Sequence, residues 1–292
     1  MTFMQQRIAE ARSDVAERSP RRWADSAVEA SARIGYLAKG IVFGTVGVLA
    51  VMTAFGFAGG RIVGTEGAVQ MLGSNPYGRT ILVALAIGLV AFVIWRVVQA
   101  LLDPEHKGTD FKGIVARIGF LISGGAYASL AYFTLRHLQG LEGASTQSSS
   151  GQDTQQYTRS LLAEDWGVWL VGTIGVGFIG VALYQFYRAW SAKFQDKWRR
   201  GEMSADEERW GLRISRIGIA ARALSFVLIG WFLLQAAVTS NPQQAQGLRG
   251  TLTTFLDESW GEYWLGGIGL GFVCYGIYCV VNARYRQIPA PQ

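Results

Sequence analysis

Residues 32–60 read ARIGYLAKGIVFGTVGVLAVMTAFGFAGG. Beyond Lys39 no charged side chain follows until Arg61. About 20 apolar residues in an α-helix cross the hydrocarbon core of a bilayer, and Gly40 to Gly60 meets that length. Five further runs share the property. Thr80 to Leu102 carries only Arg96, and Ile217 to Val238 only Arg222. Ile118 to Leu135, Trp166 to Tyr187 and Tyr263 to Val281 carry no charge. Runs of this length are too long for soluble strands, and helices satisfy their own backbone groups in lipid. The sequence predicts six transmembrane helices.

Composition points the same way. Half of the 292 residues are hydrophobic and only 16% are charged, against about 25% in a soluble domain. With 37 glycines, 6 prolines and 2 cysteines, the chain is neither disordered, nor collagen-like, nor a disulfide scaffold. Cys274 and Cys279 lie on different faces of one apolar helix, which suits two small buried hydrophobes. The first thirty residues are charged and lack the apolar core of a cleavable signal peptide.

The chain also repeats itself. Ala32-Arg33-Ile34-Gly35 returns as Ala116-Arg117-Ile118-Gly119 and as Ser215-Arg216-Ile217-Gly218. An aromatic-glycine pair follows each: Tyr77-Gly78, Trp166-Gly167, Trp260-Gly261. Then come Gly88, Gly177 and Gly271, and after them Gln99-Ala100, Arg188-Ala189 and Asn282-Ala283, all in register. Each copy is a two-helix hairpin. Two spans return the chain to its starting side, so the copies share one orientation. The expected architecture is an all-α membrane protein, with six transmembrane helices as three parallel pseudo-threefold hairpin repeats. Its parts are an amphipathic tail (1–30), hairpins at 31–103, 114–190 and 213–286, and a basic loop (191–212). Short helices are expected before each aromatic-glycine pair, over Glu66–Leu72, Gln155–Ala163 and Gly247–Leu256.

The segment Ala32 to Gly40, followed by Asn75-Pro76-Tyr77-Gly78 and a glycine-bearing helix ending near Trp95-Arg96, resembles the bacterial domain-of-unknown-function family 1206. That family carries this hairpin in three tandem copies. The resemblance covers residues 31–286. The middle copy departs from the first, with Ser123 at the position of Lys39, and the third has Arg222 there. The resemblance implies the architecture and no activity.

Basic residues set the orientation. Eighteen lie on one side, in the N-terminal tail, the second and fourth loops and the C-terminal tail, and five on the other: Arg61, Arg79, Arg136, Arg159 and Arg249. The positive-inside rule puts both termini in the cytoplasm, and the chain in a bacterial inner membrane. Lys39, Arg96, Arg188 and Arg222 fall in the cytoplasmic third of their helices, from which they can snorkel. Trp166, Trp169, Trp260 and Trp264 suit the outer interface; Trp23, Trp190, Trp198 and Trp210 suit the inner one.

Candidate sites follow. Arg33, Arg117 and Arg216 each sit at the cytoplasmic N-terminus of an odd-numbered span, where the helix end itself attracts anions. Three readings are open: adherence to the positive-inside rule, a lipid phosphate site, and a site for a soluble anion. Lys39 and Arg222 join this anion- or lipid-binding set. Gln99, Arg188 and Asn282 form a second equivalent set, expected to bond to the first set's helix ends. Gly88, Gly177 and Gly271 are expected to let helices pack closely. Gly175-x-Gly177-x-x-Gly180 spells a dinucleotide fingerprint, but it lies within a span and lacks the preceding strand.

No catalytic or metal-binding grouping is expected. His106 and His137 fall on opposite sides of the membrane, and no Ser-His-Asp, paired-carboxylate or Cys-His set gathers in one place. No cofactor and no nucleic acid is expected. The absence of an Asp or Glu at the centre of any span argues against proton- or sodium-coupled transport. The leading expectation is a non-catalytic membrane protein that binds anionic lipid, or serves as accessory subunit to a membrane-protein partner, or forms a homo-oligomer. The rival is a passive pore or carrier for a small anion around the pseudo-threefold axis.

Overall fold

The computed structural model describes residues 29–57, 60, 62–103, 108, 110–140, 149–164, 166–255 and 260–287. The amphipathic tail before Glu29, and with it Trp23, lies outside them, as do Arg61, His106 and Lys107. Six helices are long and apolar enough to cross a membrane: α1 (Glu29–Ala54), α3 (Gly78–Leu101), α4 (Phe111–Leu138), α6 (Gly167–Ser191), α7 (Ala205–Val238) and α9 (Gly261–Tyr285). Three shorter helices, α2 (Thr65–Gly73), α5 (Ser149–Leu162) and α8 (Leu248–Thr254), precede α3, α6 and α9. They fall where the repeat placed them, one per copy.

The hairpins are α1–α3, α4–α6 and α7–α9. Helix α7 has 34 residues, about 50 Å of helix against a core of about 30 Å. Its first turns therefore extend beyond the membrane. A capping box opens it: the Ser204 hydroxyl accepts from the Glu207 amide (3.3 Å), and the Glu207 carboxylate accepts from the Ser204 amide (2.8 Å). Tyr285 at the end of α9 also donates to Glu207 (2.9 Å).

Helices join where small residues let backbones meet, because lipid offers no hydrophobic force to bring two apolar helices together. A Cβ on Gly47 of α1 would lie 2.5 Å from the Gly269 carbonyl oxygen of α9. The equivalent pair on α6 and α7 is Gly175 with Gly230, where a Cβ on Gly230 would lie 2.7 Å from the Gly175 oxygen. The third pair of this set is Ala86 with Ala131, and α3 packs on α4. The three hairpins are thus joined to one another by one repeated crossing. Within the first and third hairpins a second crossing operates: Gly88 faces Ala38, and Gly271 faces Ala221. Gly35 meets the backbone of Phe92 and Gly218 that of Tyr275 in the same two hairpins.

The middle hairpin departs from this. Gly177 and Gly119 stand at the positions of Gly88 and Gly35, yet a Cβ on either would meet nothing within 4 Å. Gly177 is therefore not a packing glycine, a correction to the reading from sequence. Ile122 stands where the other copies have Ala38 and Ala221, and its bulk does not fit a glycine-alanine crossing. Helices α4 and α6 make no extended contact. The ring of six helices is closed at five junctions and open at the sixth, between α4 and α6.

Candidate functional site

Comparing equivalent positions across the copies separates the surfaces. Val46, Leu130 and Ile229 are buried in every copy, as are Leu82, Val171 and Leu265, and Ala50, Thr134 and Leu233. They form the apolar interior of the half nearer α2, α5 and α8. Other positions are buried in two copies and exposed in the middle one. Trp95 and Tyr278 are 0% and 4% exposed, whereas their equivalent Tyr184 is 64% exposed. Phe92 and Tyr275 are buried and Val181 is not. In the middle copy those positions face the open seam.

The other half of the interior holds cations. Lys39 is 4% exposed. Its ammonium lies 5.3 Å from the ring centres of Phe92 of α3, Tyr127 of α4 and Tyr275 of α9. Arg96 shares the Phe92 ring (4.7 Å) and also lies over Phe120 (5.4 Å). Arg222 shares the Tyr275 ring (5.1 Å) and lies over Phe226 (4.4 Å) and Phe43 (5.5 Å). Arg188 reaches the Tyr278 ring and hydroxyl. Rings and cations alternate, which suits the negative faces of aromatic rings. Lys39 thus shares the Phe92 ring with Arg96 and the Tyr275 ring with Arg222, which makes the three basic groups close neighbours.

This cluster is rich in donors and poor in acceptors. Arg96 donates to the Gln99 side-chain oxygen (2.8 Å), and Arg222 to that of Gln185 (3.0 Å). The Nε atoms of Arg96 and Arg222 and the amide nitrogen of buried Gln185 have no acceptor. Among the described residues no hydrogen bond or ion pair reaches the Lys39 ammonium. None of them places an Asp or Glu inside the membrane-spanning part of a helix. A buried charge without a counter-charge is costly, so this region suits a ligand that brings acceptors. Arg96 and Gln185 occupy equivalent places in their repeats, a register visible in the sequence.

Arg33, Arg117 and Arg216 lie elsewhere, at the end of the bundle where α1 begins and α9 finishes. Each donates to backbone carbonyls at the C-terminus of the neighbouring even-numbered span. Arg33 bonds the Ala283 and Arg284 oxygens of α9 (2.8 and 2.7 Å), Arg117 the Leu101 oxygen of α3 (3.3 Å), and Arg216 the Trp190 oxygen of α6 (3.3 Å). Helix C-termini leave carbonyls without intrahelical partners and carry partial negative charge. The three arginines therefore clasp the three junctions between repeats. Arg33 is held further by Glu29 (2.6 Å), which also meets Arg199 (3.3 Å). Arg33→Gln is expected to lower stability by about 2 kcal/mol through loss of its charged bonds, and Arg117→Gln by less than half as much, read as thermal midpoints in detergent.

Arg188 and Asn282 turn elsewhere than to those helix ends: Arg188 donates to the Tyr278 hydroxyl, and Asn282 to the Tyr278 carbonyl (2.7 Å) within its own helix, while the Gln99 side-chain oxygen receives Arg96. Trp198 is also not an interfacial residue. It is buried against Phe194 and bridges to Arg286, which ties the loop after α6 to the end of α9. Trp166, Trp169, Trp190, Trp210, Trp260 and Trp264 are exposed.

Six apolar spans in three tandem hairpins define a multi-pass integral membrane protein. The chain belongs to the Domain of Unknown Function (DUF1206) family, whose pattern it matches three times, over residues 34–103, 118–192 and 217–286. It is similar to the "Uncharacterized protein YxxB" of Bacillus subtilis (strain 168), 35% identical over 256 residues that cover 88% of this chain and 90% of that protein. No solved structure matches it.

Proposed function

We propose that this protein is a non-catalytic anion-binding protein of the bacterial inner membrane, with its basic end and both termini in the cytoplasm. One observation carries the reading: the buried Lys39 amine shares its rings with Arg96 and Arg222, and among the described residues no carboxylate lies in the spans to answer them. Orphan donors on Arg96, Arg222 and Gln185 add to the demand for acceptors. A phosphate-type group supplies several acceptor oxygens and negative charge together. The side-chain ring of Arg33, Arg117 and Arg216 is engaged with helix carbonyls, so the ligand role passes from that set to Lys39 and Arg222.

The apolar layers of Val46, Leu130 and Ile229 and of Leu82, Val171 and Leu265 close the interior beyond the cluster. That favours binding over passive conduction through the axis. The test is thermal unfolding of purified protein with inorganic phosphate in place of chloride. Binding of one phosphate at hundredfold excess over its dissociation constant stabilises by roughly 2.7 kcal/mol. The increment is expected for the natural chain and not for Arg222→Gln combined with Lys39→Met. An equal increment in the double variant overturns the reading.

A further inference from the structure

The open seam and the basic cluster are one continuous feature, because the two helices that border the seam also line the cluster. Helix α4 supplies Tyr127 beneath Lys39, Phe120 beneath Arg96, and half-buried Ser123 at the position that Lys39 and Arg222 occupy in the other copies. Helix α6 supplies Gln185, bonded to Arg222, and Arg188. The seam faces of the same helices carry Ile122 and Ala126 on α4, and Gly177, Val181 and Tyr184 on α6, all exposed. The seam is apolar along its length and leads inward to unanswered donors.

We infer that the seam admits one anionic phospholipid from the surrounding bilayer. Its phosphate meets Lys39, Arg96 and Arg222, and an acyl chain lies between α4 and α6. The inference rests on the anion-binding reading above and names the class of ligand. Charge complementarity selects this occupant. A second copy of the chain would bring another apolar helix face to the seam but no acceptor to the donors behind it. A free phosphate would satisfy the donors and leave the apolar cleft uncovered. A phospholipid does both. Depth is compatible as well: Lys39 lies six residues beyond Arg33 in α1, about 9 Å along the helix from the end of the bundle, close beneath the headgroup level. Ser123, in place of a third cation, leaves the seam side of the cluster uncharged and small, where a headgroup has to pass.

The experiment is native mass spectrometry of the full chain in detergent, titrated with phosphatidylglycerol or phosphatidylcholine. Thermal protection by inorganic phosphate is measured alongside. The natural protein is expected to hold one phosphatidylglycerol about tenfold or more tightly than phosphatidylcholine. Gly177→Trp, at an exposed position where an added Cβ meets nothing within 4 Å, is expected to abolish that preference and to keep the protection by inorganic phosphate. Lys39→Met is expected to abolish both. If Gly177→Trp binds phosphatidylglycerol like the natural chain, the seam is not the lipid's place and the anion site stands without it. If Lys39→Met changes neither ligand, the anion site itself falls. A dimer that Gly177→Trp splits would make the seam an interface between copies and overturn the lipid assignment.

Discussion

Gly271→Leu and Gly177→Leu, the same change at equivalent positions, are expected to give opposite results. At Gly271 even a Cβ collides with the Cβ of Ala221, so the α7–α9 hairpin has to part to accept a leucine. Overpacking a tight contact costs about 1–3 kcal/mol and more when backbone must move, so a loss of about 3 kcal/mol or failure to accumulate folded protein is expected. Gly88→Leu, against Ala38, is expected to follow it. At Gly177 nothing lies within 4 Å, and the change is expected to stay within about 0.5 kcal/mol, as for an ordinary surface position. Reversible unfolding in mixed micelles measures all three. An equal loss at Gly177 would mean that the middle hairpin is closed and that no seam exists.

The second large effect is a gain. Lys39→Met keeps length and flexibility and removes a buried basic group that shares its rings with Arg96 and Arg222. Replacing buried ionic groups by apolar ones of similar volume is often stabilising by about 1–4 kcal/mol. In lipid-free, phosphate-free detergent the variant is expected to be more stable than the natural chain by an amount in that range. A residue retained at a cost to stability is one that something else requires. The opposite result, a loss on Lys39→Met without any ligand, would assign the ammonium to the fold, held by its three rings as a structural centre.

Much of this was legible in the sequence because membrane burial leaves a coarse signal. Six apolar runs, four of them uncharged, set the helices, and the recurrence of Arg33, Arg117 and Arg216 set the repeat. Lys39 and Arg222 were singled out as cations within spans. Two things were not found. Gly177 has the same local pattern as Gly88 and Gly271, and a glycine packs only if its partner is small. The information lay across the hairpin, in Ile122 where the other copies have alanine, and pattern matching along one helix does not weigh a residue on another. The partners of the arginine ring were illegible for a related reason. A basic residue at a helix N-terminus looks equally ready for an anion or for the carbonyls of an adjacent helix C-terminus. Only the packing of α1 on α9, of α4 on α3 and of α7 on α6 decides between them.

The glycine crossings of α1 with α9 carry a consequence for biosynthesis. Gly40 and Gly47 of the first span meet Gly276 and Gly269 of the last. Roughly two hundred residues separate these partners along the chain, and at about 5–20 residues per second the ribosome needs on the order of ten seconds to a minute to supply the second after the first. Throughout that interval α1 resides in the bilayer with its glycine face against lipid and Lys39 unscreened by the Tyr275 ring. The first span to enter is thus the last to find its full set of neighbours. A translating chain stalled before α9 presents an unfinished α1, open to whatever insertase or chaperone tends nascent helices in the membrane.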